Sequence, residues 1–151
     1  MNSAKKVERI LLDKITARGH PNVLGTHRTT IEITTEDFLT TNGNCIIGVM
    51  SSKSVNDYSP KLKEAIQNGI KIEIEMVAGP FKEKFIGIGH KDLDLSNEIS
   101  MVFRLSEFIS DRTALICCSK SSIELDRNFI KYLREPSNKL LVYFYQLVKM
   151  E

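Results

Sequence analysis

The feature that most constrains the fold of this 151-residue chain is that its sequence pattern occurs twice. The dipeptide Gly-His at 19–20 returns at 89–90, and each copy ends an extended, largely apolar segment. The tripeptide Ser-Lys-Ser at 52–54 returns at 119–121, at a displacement three residues shorter. Self-similarity over so long a period indicates a duplicated supersecondary unit, and such a unit cannot bury its apolar face alone.

Each copy has the pattern strand, strand, strand, helix, strand. Alternating isoleucine and charged residues over 70–76 predict a half-buried strand. Ser59-Pro60 predicts the start of a helix, and Gly69 its C-terminal cap. We therefore expect a single, mainly β domain with two helices (α+β), built from duplicated β-β-β-α-β units at about 7–78 and 81–149. About eight strands would form a sandwich or a strongly bent sheet around a pseudo-twofold axis.

Two local signals add detail to this scheme. Asn42-Gly43 lies between two apolar segments of the first copy and is the strongest short hairpin signal in the chain. In the second copy, Ser121 or Ser122 is expected to cap the helix that follows. Both predictions concern local geometry that the structure can test directly.

The composition of the chain limits which partners, nucleic acid or membrane, are expected. Lys+Arg number 21 and Asp+Glu 19, and the two signs alternate along the chain, so no footprint for a nucleic-acid backbone stands out in the sequence. The longest apolar run, 140–148, has about half the roughly 20 residues that a membrane-spanning helix needs, and no membrane partner is expected.

Cysteine usage and the start of the chain both favour a cytoplasmic protein. The three cysteines are an odd number and Cys117-Cys118 are adjacent, which suits neither a disulfide framework nor a metal site. The segment 1–6 lacks the apolar core of a signal peptide.

The Gly-His corners are the first candidates for chemistry. A glycine permits a sharp turn, and the following His20 or His90 can then act as ligand, base or turn anchor. Together with His27 they would form a metal site or an acid–base pair near the pseudo-axis. Their recurrence in both copies favours turn anchors, because duplicated structure retains anchors while function usually survives in one copy.

A polar strand face in the first copy is the second candidate. Thr29, Thr30 and Glu32 follow His27, whereas Val102 occupies the position of Glu32 in the second copy. A single active site would therefore lie in the first copy, unless this is simply a solvated strand face with cross-strand threonine pairs.

The third candidate is the pair of lysines in the repeated tripeptide. Lys53 and Lys120 each follow a buried strand and precede a helix, a geometry in which backbone N–H groups and the helix dipole bind anions. Phosphate or carboxylate recognition fits this arrangement. The alternative is an ordinary helix cap beside a solvated lysine.

The segments 17–34, 44–50, 87–90 and 112–116 resemble an archaeal family known as domain of unknown function 371. The resemblance covers nearly the whole chain. It implies an archaeal cytoplasmic protein with a jelly-roll-like β fold, and it implies no particular activity. The second half departs from the family pattern, with Lys91 and 97–98 where proline and His-Pro are usual, so a site shared by both copies is expected to be weakened.

The leading hypothesis is a protein that binds, or acts on, a small anionic or phosphorylated ligand, with no cofactor and no metal ligands assigned. His20 or His27 would carry the proton, and Glu32 would orient that histidine. The ligand-binding residues would be Asn22, Thr29, Thr30, Lys53, His90 and Lys120. The alternatives are a non-catalytic structural or RNA-associated module and a metal-dependent hydrolase. The exposed ends of a sandwich also allow a homodimer.

Overall fold

The computed structural model describes residues 6–150, so most of the segment used to argue against a signal peptide lies outside the described residues. Eight strands and two helices are present there: β1 (Lys6–Arg18), β2 (Thr30–Thr34), β3 (Ile46–Gly48), α1 (Pro60–Gln67), β4 (Lys71–Ala78), β5 (Phe81–Ile88), β6 (Ser100–Arg104), β7 (Thr113–Leu115), α2 (Arg127–Tyr132) and β8 (Lys139–Met150). The prediction of a mainly β protein with two helices is confirmed.

The strands form two four-stranded sheets. The first has the order β1-β8-β4-β5 and is antiparallel throughout. The second has the order β3-β2-β6-β7, in which β2 and β6 are antiparallel and the two outer strands pair in parallel. Because β1 and β4 alternate with β8 and β5 in the first sheet, strands from both halves of the chain are interleaved there.

The two sheets pack against each other through their apolar faces. Along β4 the side chains of Ile72, Ile74, Met76 and Ala78 are fully buried, so that every second side chain enters the core. Phe103 of the second sheet contacts Phe85 and Phe144 of the first, at ring-centroid distances of 5.3 and 6.2 Å. All three rings are at most 2% exposed, which makes this aromatic group a centre of the core.

Helix α1 begins and ends as its sequence predicts. The Ser59 hydroxyl accepts a hydrogen bond from the backbone N–H of Leu62 (3.1 Å), and Pro60 is the first helical residue. Gly69 follows the helix with a φ of +73°, the left-handed conformation that glycine adopts without a steric penalty.

The cap predicted for α2 is wrong. Ser121 caps a short 3-10 turn over 122–124, and the extended backbone of Leu125 ends that turn. Asp126 then caps α2 by accepting hydrogen bonds from the N–H groups of Asn128 and Phe129. A serine followed by an acidic residue three positions on can cap either kind of turn, and the sequence signal does not distinguish them.

The hairpin predicted at Asn42-Gly43 is also wrong. The chain does turn there, since the N–H of Gly43 donates to the carbonyl of Thr40 (3.1 Å). The flanking strands β2 and β3, however, pair in parallel, and parallel neighbours require a crossover connection. Local turn chemistry specifies the bend and leaves the partner of each strand open.

The element order β-β-β-α-β occurs twice along the described chain, and β2 and β6 pair with Glu32 opposite Val102. The internal duplication, the single-domain organisation and the jelly-roll-like topology stay predictions. Among residues 6–150, no helix has the length and apolar character needed to cross a membrane.

The contact of Phe103 with two further aromatic rings leads to a stability prediction. We expect Phe103→Ala to lower the free energy of unfolding by about 3–5 kcal/mol, because it removes buried apolar contacts and leaves a cavity. The matched control is Phe108→Ala, since Phe108 is 62% exposed, with an expected loss under about 1 kcal/mol. Urea unfolding of both variants measures the difference, and equal losses would contradict this description of the core.

Candidate functional site

Each Gly-His corner is held by a close approach to a backbone carbonyl in the other half of the chain. A Cβ atom at Gly19 would clash with the carbonyl oxygen of Leu133, just after α2. A Cβ atom at Gly89 would clash with the carbonyl oxygen of Ile66, in α1. These positions therefore require glycine for packing, which gives the repeated dipeptide a structural cause.

The three histidines each accept a hydrogen bond within their own turn. Nδ1 of His20 accepts from the backbone N–H of Asn22 and Nδ1 of His90 from that of Asp92, both at 3.0 Å. Nδ1 of His27 accepts from the N–H of Thr29 at 3.2 Å. One ring nitrogen of each histidine thus anchors a turn, which leaves Nε2 as the ring nitrogen that can contact groups outside the turn.

His20 and His90 lie at diagonally opposite corners of the first sheet. They follow β1 and β5, the two outer strands, which run in opposite directions. Seven residue steps of β4 separate the two ends of the sheet, about 24 Å along the strands. The structure does not bring these two histidines into one cleft, contrary to the arrangement expected from the sequence.

The first-copy polar residues form a local chain of contacts. The Thr29 hydroxyl lies 3.3 Å from Nδ1 of His27 and 3.2 Å from the hydroxyl of Thr30. Asn22 belongs to a separate corner, where its side-chain amide donates to the carbonyl of Leu39 (2.8 Å). The roles predicted for these side chains in catalysis or binding stay predictions.

Glu32 does not orient a histidine in this structure. Its carboxylate accepts a hydrogen bond from the Cys45 thiol (3.3 Å) and lies 3.8 Å from the guanidinium of Arg112. Burial, reinforced by the charge of Glu32, raises the pKa of the Cys45 thiol to about 12. Cys45 is therefore a neutral thiol near pH 7, without the thiolate that nucleophilic chemistry needs.

Lys53 and Lys120 each neutralise a buried carboxylate. The Lys53 ammonium lies 2.9 Å from the carboxylate of Asp13, and the Lys120 ammonium 2.8 Å from that of Glu83. The second oxygen of each carboxylate accepts a backbone N–H at the start of a helix, that of Ser59 for α1 and that of Asp126 for α2. Both lysines thus connect a strand to a helix N-terminus, and their charges are compensated.

No group of three or more His, Cys, Asp or Glu side chains with the geometry of a metal site occurs in the described part of the chain.

The outward face of the first sheet carries a strong basic surface that the sequence does not reveal. Two acidic side chains, Glu73 and Glu75, lie on this face. The strand registers place eight basic side chains there: Arg9, Lys14, Arg18, Lys71, Lys82, Lys84, Lys139 and Lys149. The formal balance of this basic face is therefore +6. Since the whole chain carries +2, the remaining residues together carry −4.

The two carboxylates of the basic face are paired and little exposed. Arg9 lies 2.7 Å from Glu73 and 3.4 Å from Glu75, and Lys84 lies 3.7 Å from Glu75. The other six basic side chains have no carboxylate within ion-pair distance among residues 6–150. Tyr143 and Tyr145 stand between them on β8, a central strand of the sheet.

A cleft of about 360 Å³ opens at one end of the basic face. Lys14, Arg18 and Lys139 contribute its cations, and Thr16 and Met50 are among its other lining residues. Its volume falls within the range of small-ligand sites. Two adjacent strands supply the cations, so the local sequence around each one gave no sign of the cleft.

The chain belongs to the family described as domain of unknown function DUF371, whose model matches residues 15–147. It is similar to the uncharacterized protein MJ0206 of Methanocaldococcus jannaschii, with 46% identity over 121 residues, which cover 80% of this chain and 90% of that relative. The family predicted from the segment 17–34 is confirmed.

The turn-anchor geometry of His27 can be tested by substitution. Asn97, which lies 70 residues further on, makes the same kind of bond, since its side-chain oxygen accepts the N–H of Ile99 (2.8 Å). We expect the free energy of unfolding of His27→Asn to lie within about 0.5 kcal/mol of the wild-type value. That of His27→Ala should fall by about 0.5–1.5 kcal/mol, because this variant loses the hydrogen bond. Urea titrations measure both, and equal losses would show that the Nδ1 bond is not what stabilises this turn.

The compensated charge of Lys120 leads to a second test. Lys120→Ala leaves the Glu83 carboxylate, whose side chain is 9% exposed, without its cation. We expect a loss of about 1–3 kcal/mol in unfolding free energy, less than for a fully buried pair because the lysine side chain is 35% exposed. Lys82→Ala, on the basic face, is the control with an expected change under about 0.5 kcal/mol. An unchanged stability of Lys120→Ala would contradict the structural role.

Proposed function

We propose that this protein is a non-catalytic nucleic-acid-binding module, and that the basic face of the first sheet is its binding surface. The observation that carries the proposal is the segregation of charge, +6 on this face against −4 on the rest of the chain. A face with one sign of charge attracts a polyanion and raises the rate of association.

The chemistry of the basic face suits a phosphate backbone. Lysine and arginine that neutralise phosphates release condensed counterions, and this release supplies most sequence-independent affinity. The six cations that have no carboxylate partner among residues 6–150 lie on all four strands, so they span the sheet instead of surrounding one point. A spread of this kind matches an extended polyanion better than a single small anion.

The residues of the earlier leading hypothesis support the non-catalytic proposal. His20, His27 and His90 each use one ring nitrogen as a turn anchor. Lys53 and Lys120 are paired with buried carboxylates. These side chains therefore have structural tasks that account for their recurrence, and none of them lies among the cations of the basic face.

We further propose that the two halves derive from one duplicated unit. Two observations support it: the paired bridges from Lys53 to Asp13 and from Lys120 to Glu83, and the matching approaches of Gly19 and Gly89 to helix-end carbonyls. Since strands of both halves alternate in the first sheet, neither half alone would form the basic face.

A cytoplasmic location fits this proposal. Cys45, Cys117 and Cys118 are free thiols. Burial raises the pKa of Cys118, as it does that of Cys45, to about 12, so both thiols stay protonated. Free thiols are typical of reducing compartments, in which nucleic acids are abundant.

Charge reversal tests the binding surface. We expect the double variant Lys82→Glu/Lys139→Glu to bind a fluorescein-labelled RNA at least about tenfold more weakly and to reduce the salt slope by about 2, because two phosphate contacts are lost. Fluorescence anisotropy over a series of salt concentrations measures both quantities.

The matched control is Lys61→Glu/Arg28→Glu, which makes the same change in net charge at two exposed positions outside the basic face. This variant is expected to bind within about threefold of the wild type, since neither side chain belongs to the basic face and exposed charges are screened at ordinary salt. Equal weakening by both double variants would mean that only net charge matters. Absence of RNA binding by the wild type at low salt would overturn the proposal.

A small phosphorylated ligand is a second candidate, favoured by the cleft with Lys14, Arg18 and Lys139. Three cations around one concave volume fit a single phosphate group. Calorimetric titration with a nucleoside monophosphate tests it. Saturable binding that Arg18→Ala abolishes would support this candidate, and no detectable heat would exclude it.

A further inference from the structure

Two tyrosine rings lie one after the other on β8, in the middle of the basic face. Tyr143 and Tyr145 occupy successive outward positions, with ring centroids 6.3 Å apart and ring planes inclined by 23°. Two residues of an antiparallel strand advance about 6.8 Å, so the strand itself sets this spacing. The sheet thus presents two nearly parallel aromatic rings in a row.

A cation accompanies each ring. The Arg9 guanidinium lies over Tyr145, 3.9 Å from the ring centroid, and the Lys14 ammonium lies 5.4 Å from the centroid of Tyr143. Lys14 also lines the cleft that contains Arg18 and Lys139. The basic cleft therefore begins where the row of tyrosines ends.

We infer that the ligand of the basic face is a single-stranded nucleic acid, which lies along β8 with successive bases against Tyr145 and Tyr143 and a phosphate in the cleft of Lys14, Arg18 and Lys139. The inference rests on the proposed function and narrows it. Base–aromatic stacking beside a basic groove is how proteins hold single strands with little sequence preference. A duplex keeps its bases stacked inside and cannot offer them to the two rings.

Arg9 strengthens this arrangement. Its guanidinium is paired with Glu73 and lies close over the ring of Tyr145 in a cation–π contact. Guanidinium planes stack on bases as aromatic rings do, so a base can pack against Arg9 or against the free part of the tyrosine ring. The stacking surface therefore extends from β8 onto β1.

The experiment compares a labelled single-stranded RNA of about twelve nucleotides with the duplex of the same sequence. We expect the wild type to bind the single strand at least about tenfold more tightly. Tyr143→Ala/Tyr145→Ala is expected to lose at least about tenfold in affinity for the single strand and to bind the duplex unchanged. Tyr143→Phe/Tyr145→Phe keeps both rings and is expected to stay within about twofold.

Tyr143→Leu/Tyr145→Leu is a second test in case the alanine variant fails to fold, since leucine keeps the apolar contact and removes the ring. It should lose single-strand affinity as the alanine variant does. Equal affinity for single strand and duplex, or tyrosine variants that bind the single strand normally, would overturn the inference and leave the nucleic-acid proposal intact. No binding of either RNA would overturn the proposed function itself.

Discussion

The hydrogen bonding of β8 on both sides is the constraint on which the rest of the structure depends. β8 pairs along nearly its whole length with β1 on one side and with much of β4 on the other. Its inward residues Leu140, Val142 and Phe144 are fully buried in the core. Its outward residues include the two tyrosines of the basic face. One strand thus connects the core to the candidate binding surface, and a one-residue shift of register would exchange the two sets of side chains.

The parts of the fold that were predictable are those that local chemistry decides. The alternation in β4 follows from its period of two, and the ends of α1 follow from Ser59, Pro60 and Gly69. The prediction of a hairpin at Asn42-Gly43 was wrong because distant partners decide how strands pair. β2 pairs with β6, 70 residues away, and β3 pairs in parallel with the other edge of β2. The prediction that Ser121 or Ser122 caps α2 was wrong because the same capping pattern fits a 3-10 turn as well as an α-helix.

The candidate site was missed for a physical reason of the same kind. Net charge near zero conceals a basic face when the opposite sign collects elsewhere, and the cations of this face come from strands that are far apart in the sequence. Four strands, separated by up to about 130 residues, supply one or more cations each to that face. The alternation of Tyr143 and Tyr145 with buried residues was the available signal, because it indicates two aromatic side chains on the face opposite the core. The repeated histidines suggested a site elsewhere, although the turns that His20 and His90 anchor explain why they recur.

The two carboxylates of the basic face explain how so many cations share one sheet. Like charges on neighbouring strands destabilise a sheet, and β4 lies between β8 and β5, where Glu73 and Glu75 offset this repulsion through Arg9 and Lys84. The side chains of Glu73 and Glu75 are only 14% and 11% exposed, so their carboxylates lie close to the strands, beneath the longer basic side chains. The cations without carboxylate partners in the described chain have long, exposed side chains that extend into solvent. A phosphate that arrives there therefore displaces water and counterions rather than a protein carboxylate, which is the condition under which such a face binds a polyanion.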